Sequence, residues 1–216
     1  MPYRRLPNTD QARIRAMKNA VTMLSKESFG DSVISYKTTN ELQSLLPLFE
    51  QRKMMFKQSW DNQVRTNKLY QTIINNVRMY ISHFIQVLNL SVIRGEIKKE
   101  HKEYYHLDPE THIVPDLTTE TSLFLWGKNI INGEKDRLSM EGGTPIYNPT
   151  IAKVQVHYEK FKDHKENQNL YQSTTQRNRE ELIKLRTEAD NLILDVWNQV
   201  EAHFQKLENS EEQIKK

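Results

Sequence analysis

The stretch that most constrains the fold runs from Ile151 to Leu207, because it contains neither glycine nor proline. Its apolar residues return mainly every three or four positions, the period of one face of an α-helix. They are Ile151, Val154, Tyr158, Phe161, Leu182, Leu185, Ala189, Leu192, Val196, Val200 and Leu207. Residues 162–181 in its middle are nearly all polar. We therefore expect one very long helix, or two helices joined without a conventional breaker.

An earlier stretch has the same pattern. Its apolar residues are Leu42, Leu46, Phe49, Phe56, Trp60, Val64, Ile74, Val77, Ile81, Phe84 and Leu88. The sequence Thr39-Asn40-Glu41 is typical of a helix start, but Pro47 disfavours a helix interior and could place the start nearer to residue 46. Turns could lie in the polar stretches 59–67 and 172–178. We expect continuous helices, and we keep turns at these two places as the alternative.

Shorter elements precede each long run. A first helix over 10–28 follows the capping sequence Asn8-Thr9-Asp10, and residues 31–38 are interpreted as a linker. Thr118 or Thr119 caps a third helix. Before the last run, Asn148 is expected to cap the helix, with Pro149 in its first turn.

These elements predict an all-α protein, an elongated antiparallel helical bundle forming one domain over 1–216. Each half has one short and one long helix, and Tyr80-Ile-Ser-His-Phe84 is similar to Val200-Glu-Ala-His-Phe204. An internal duplication of about 9–94 and 118–208, joined by 95–117, is therefore left open. With turns at 59–67 and 172–178 the same chain would be a six-helix bundle.

Composition excludes several classes of protein. The 216 residues carry a formal net charge of +3, too balanced to require nucleic acid or an anionic membrane. The absence of cysteine excludes disulfides and thiolate metal sites. No apolar run follows the N-terminal arginines, and no stretch reaches the ~20 apolar residues of a membrane span. We expect a cytoplasmic protein without a membrane partner.

Histidines and glutamates supply the metal-site candidates. Glu103 and His106 form a Glu-x-x-His pattern, but a di-iron bundle needs two such motifs and only one is present. A solvated charged face is the preferred interpretation of this region. His83 and His203 precede apolar-stripe phenylalanines and could share a metal if the two halves face each other. Flank positions are again the preferred interpretation, and no cofactor is predicted.

Two further patterns suggest ligands. The basic N-terminal region could contact phosphates, and its cationic residues are Arg4, Arg5, Arg13, Arg15 and Lys18. Trp126, Tyr147 and Asn148 mark a possible ligand corner beside Gly142-Gly143. Ordinary surface is the preferred interpretation of the first pattern. Trp60, Trp126, Trp197 and Tyr147 are expected to be anchors in the core or between helices.

No nucleophile motif, phosphate-binding glycine loop or dinucleotide fingerprint occurs in the sequence. We therefore expect a non-enzymatic helical scaffold or protein-interaction module, with self-association or a protein partner. The alternatives are nucleic-acid binding through the basic N-terminal helix, and a bundle with a metal or small-ligand site.

Four stretches carry a family resemblance. They are Tyr3-Arg4-Arg5-Leu6-Pro7-Asn8-Thr9-Asp10, residues 82–89, residues 142–149 and residues 195–201. In these stretches the chain resembles a family of uncharacterised bacterial all-helical proteins. The resemblance covers nearly the whole chain, but it implies no established activity.

Overall fold

The computed structural model describes residues 5–24, 33–141 and 143–214, with side chains described as far as residue 206. All regular elements in these ranges are helical. They are α1 (Asp10–Leu24), α2 (Tyr36–Ile93), a 3₁₀ helix (Lys99–Tyr105), α3 (Glu120–Met140) and α4 (Ile151–Ile214). The prediction of an all-α fold is confirmed. No helix in the described ranges combines the length and the apolar composition needed to cross a bilayer.

The two long runs are single helices of 58 and 64 residues. The six-helix alternative is therefore wrong, since residues 59–67 and 172–178 are helical throughout. Polar side chains in these stretches bond across the helix pair instead of forming turns. Thr175 Oγ1 donates to Ser59 O at 3.1 Å, and Gln168 Nε2 donates to Asn67 Oδ1 at 3.0 Å. Satisfied buried polar groups can continue a helix where the apolar stripe lapses.

The start of α2 differs from the prediction. The helix begins at Tyr36, inside the stretch interpreted as a linker, because Ser35 caps it. Ser35 Oγ accepts a bond from Thr38 N at 3.3 Å. Pro47 lies inside the helix and is exposed. Its missing N–H removes one helical hydrogen bond without ending the helix, because the apolar residues on either side pack into the same core.

The other helix ends were predicted with mixed success. Thr9 Oγ1 accepts from Ala12 N at 3.1 Å at the start of α1, as expected, whereas the predicted end of that helix at 28 lies outside the described residues. Thr119 caps α3. The prediction that Asn148 caps α4 is wrong. Asn148 has a left-handed φ of 61° within a turn, and α4 begins only at Ile151.

The chain divides into two compact units, each of which takes part of both long helices. Unit 1 comprises Met1–Asn62 and Gln172–Lys216, and unit 2 comprises Gln63–Tyr171. The units do not coincide with the sequence halves 9–94 and 118–208, and the duplication stays a prediction. The division falls within the polar stretch 59–67 of α2 and immediately before the polar stretch 172–178 of α4.

In unit 1, α2 and α4 run antiparallel, with Thr38 bonded to Asp195 at one end and Ser59 to Thr175 at the other. Helix α1 completes a three-helix arrangement. The shared core includes Ile14, Met17, Leu42, Phe49, Leu182, Leu185, Ala189 and Leu192. Trp60 is 52% exposed, so its prediction as a core anchor is wrong.

In unit 2, α2 and α4 are also antiparallel. The ring of Tyr70 stacks on Phe161 at 5.9 Å, and that of Tyr80 stacks on His157 at 4.0 Å. Helix α3 and the 3₁₀ helix pack against this pair. The core includes Ile74, Val77, Ile81, Phe84, Leu88, Leu123, Ile130, Val154 and Phe161. The predicted apolar stripes thus form most of the buried faces of both helices in this unit, although Val64 at the start of the unit is 40% exposed.

Candidate interaction surface and buried polar cluster

The clearest apolar surface feature is a groove in unit 1, which we call the α1/α4 groove. It encloses about 470 Å³. Helices α1 and α4 supply most of its walls, with Leu42 of α2 and the Val33–Ile34 segment completing them. Its residues on α1 and α4 are Ala16, Met17, Asn19, Ala20, Met23, Leu24, Ile193, Val196, Trp197, Val200 and Phe204.

The α1/α4 groove has large exposed side chains beside a floor of small ones. Met23 is 62% exposed and Phe204 is 56% exposed. Ala16 and Ala20, one helical turn apart on α1, leave room between the helices. None of the lining residues that the structure describes is charged. Exposed apolar surface gathered in one concave place is typical of a site that binds another apolar surface.

Two reciprocal ion pairs hold the first turns of α1 against α4. Arg13 donates to both carboxylate oxygens of Asp190, at 2.8 and 2.7 Å, and Arg186 donates to both oxygens of Asp10, at 2.7 Å each. The Arg186 guanidinium holds the pKa of the Asp10 carboxyl below its ordinary value of 3.8. Bidentate pairs fix the relative orientation of the two helices as well as their contact. The groove lies towards the other end of α1.

Some of the basic residues predicted to contact phosphates are already paired with carboxylates. Arg13 is bound to Asp190, and Lys18 Nζ lies 2.7 Å from Glu50. Arg5 and Arg15 are exposed, and Arg4 lies outside the described residues. The nucleic-acid interface therefore stays a prediction, and two of its five cations already face carboxylates.

Unit 2 contains a buried polar cluster that joins α3, the 3₁₀ helix and residues 144–146. We call Tyr105, Glu134 and Arg137, whose side chains are 0–2% exposed, the Glu134 cluster. Arg137 Nη2 donates to Glu134 Oε2 at 3.0 Å, and its Nε donates to Tyr105 Oη at 2.8 Å. Tyr105 in turn donates to Glu134, and burial raises the pKa of this phenol, which keeps it a donor.

The Glu134 cluster also holds the chain that leads towards α4. Glu134 Oε1 accepts from Ile146 N at 2.8 Å, and Arg137 Nη2 donates to Thr144 O at 3.1 Å. A buried ion pair is tolerated when its remaining hydrogen-bonding capacity is satisfied, as it is here. The cluster therefore acts as a structural clamp between α3, the 3₁₀ helix and residues 144–146.

A second buried cation holds the connection between the 3₁₀ helix and α3. Lys102 is 1% exposed, its Nζ donates to Thr111 O, and burial lowers its pKa. Beside it, Asn89 Nδ2 donates to His112 O at 3.0 Å. The solvated charged face predicted for the Glu-x-x-His region thus lies beside buried Lys102 and Tyr105, whose burial was not predicted. The prediction holds for Glu103 and His106, which are exposed.

The metal candidates are not brought into a cluster within the described ranges, where no group of three or more potential ligands occurs. His83 is exposed on α2 in unit 2. His203 lies on α4 in unit 1, with its ring 5.7 Å from that of Phe204. A metal bound by these histidines stays a prediction.

Trp126 and Tyr147 of the predicted ligand corner have different surroundings. Tyr147 is 82% exposed and lines a groove of about 340 Å³ with Pro145 and Arg94, so it does not lie in the core. Trp126 packs against the core of unit 2 instead, and neither it nor Asn148 lines this groove. A small ligand at this corner stays a prediction without a shared cavity.

Sequence reasoning missed both the α1/α4 groove and the Glu134 cluster, although each left a trace. Leu123, Gly127, Ile130, Glu134 and Arg137 recur at helical spacing, so Glu134 and Arg137 continue the buried face of α3. Ala16, Ala20 and Met23 likewise widen the apolar face of α1. The burial of Glu134 and Arg137 was not predicted because charged residues are rarely buried without partners. The sequence alone does not reveal those partners.

The resemblance to a bacterial protein family rests on the four sequence stretches alone. Comparison with known proteins found no family model, no curated protein and no solved structure that matches this chain.

Proposed function

We propose that this protein is a helical interaction module whose α1/α4 groove receives an amphipathic helix from a partner protein. The observation that carries the proposal is that Met23 and Phe204 are both exposed in one concave surface, whose described lining residues are uncharged. Helix-in-groove recognition uses such surfaces, since an incoming helix presents apolar residues at intervals of three and four positions.

The composition of the groove supports a helical occupant. Ala16 and Ala20 have short side chains, so the backbone of a docked helix can approach α1 closely. Methionine is unbranched and polarisable, and the exposed Met23 can therefore adapt to different side chains. On the opposite wall, Val200 and Phe204 present a continuous apolar strip one turn apart.

The free energy available for binding follows from the exposed fractions of Met23 and Phe204. Full burial of a methionine or phenylalanine side chain stabilises by about 1.5–3 kcal/mol. Met23 and Phe204 each have more than half of this still to gain, since they are 62% and 56% exposed. Two central anchors of this kind are typical of the few residues that dominate a protein interface.

The test compares two methionines that differ only in place. Met23→Glu puts a charge into the groove, whereas Met54→Glu puts one on α2 in the same unit, outside the groove, at a residue of similar exposure (66%). Wild type and both variants are immobilised and exposed to extract of the native cells, and the bound proteins are quantified by mass spectrometry. Thermal unfolding establishes that all three proteins are folded.

A protein retained by wild type and Met54→Glu but lost from Met23→Glu is the expected result. The proposal fails if every specifically bound protein is retained equally by Met23→Glu, or lost equally from both variants. Sedimentation of purified wild type over a range of concentrations identifies the case in which the occupant is a second copy. In that case association weakens in Met23→Glu and persists in Met54→Glu.

A further inference from the structure

No further inference is drawn: the strongest candidate, the seam between α2 and α4 in unit 1 where Glu41, Glu188 and Asp195 flank Leu45 and Leu192, is an acidic cluster whose apolar floor is already buried, and nothing in the structure shows what covers it.

Discussion

Replacing Glu134 with glutamine is the sharpest test of the buried polar cluster, because the two side chains have nearly the same shape. The substitution removes one negative charge from a site that is 0% exposed and leaves the guanidinium of Arg137, 2% exposed, without a counter-charge. An amide also offers one acceptor oxygen in place of two. Either the phenol of Tyr105 or the backbone N–H of Ile146 then loses its acceptor.

The expected loss in free energy of unfolding is large. Removing one partner of a buried ion pair costs about 3–5 kcal/mol, because the other charge stays buried and uncompensated. A domain has only about 5–15 kcal/mol of stability in total. The double variant Glu134→Gln/Arg137→Met removes both charges, so its loss should be smaller than the sum of the single losses by about 1–3 kcal/mol.

Urea unfolding followed by circular dichroism measures these losses, and amide hydrogen exchange locates them. Protection should fall first at the Ile146 amide, whose acceptor is Glu134. Glu141→Gln is the matched control, because it removes an exposed carboxylate near the end of the same helix, one that accepts from Tyr104 Oη at 3.0 Å. Little change is expected there. The reasoning is refuted if Glu134→Gln costs no more than Glu141→Gln, or if the double variant loses the full sum.

Three further outcomes follow from the same contacts. Gly133→Ala should destabilise by about 1–3 kcal/mol in thermal melts, although helix propensity alone predicts a gain of about 1 kcal/mol, because the new Cβ would lie 2.8 Å from Tyr105 Cα. A more stable variant would contradict this close approach. Asp10→Asn should lower stability above pH 4, where the Arg186 pair is intact. Because the pKa of Asp10 is depressed in the folded protein, the stability that the pair contributes is lost as pH falls through that pKa. The melting temperatures of wild type and variant should therefore converge in acid. A difference in melting temperature that stays constant with pH would count against the pairing. Anilinonaphthalene sulfonate should bind the α1/α4 groove and accept excitation energy from Trp197 in a variant lacking the other tryptophans. Met23→Glu should reduce this energy transfer. Transfer that is unchanged in Met23→Glu would show that the dye binds elsewhere.

The helical periodicity of the sequence was sufficient to predict the fold class and the buried faces of the long helices. Val154, Phe161, Leu182 and Leu192 recur at helical spacing in a run without breakers, and all four are buried in the core. Local chemistry also limited the caps to Asn8-Thr9-Asp10 and to Thr118 or Thr119, and Thr9 and Thr119 are the capping residues in the structure. These features depend on residues that are neighbours in sequence, which explains why they could be predicted.

Pairings between distant residues were not predictable in this way. The burial of Lys102 depends on a backbone carbonyl nine positions away, and Glu134 is compatible with the core only because Tyr105 and Arg137 surround it. Pro47 likewise stays in a helix because the packing on both sides outweighs one missing hydrogen bond.

The sequence by itself determined that this protein is helical and which side of each long helix is mainly apolar. Only the tertiary structure decided that α1 lies beside α4 with an apolar groove between Met23 and Phe204. The physical reason is that periodicity states which side of a helix is apolar, whereas the extent to which neighbouring helices cover that side depends on their three-dimensional packing.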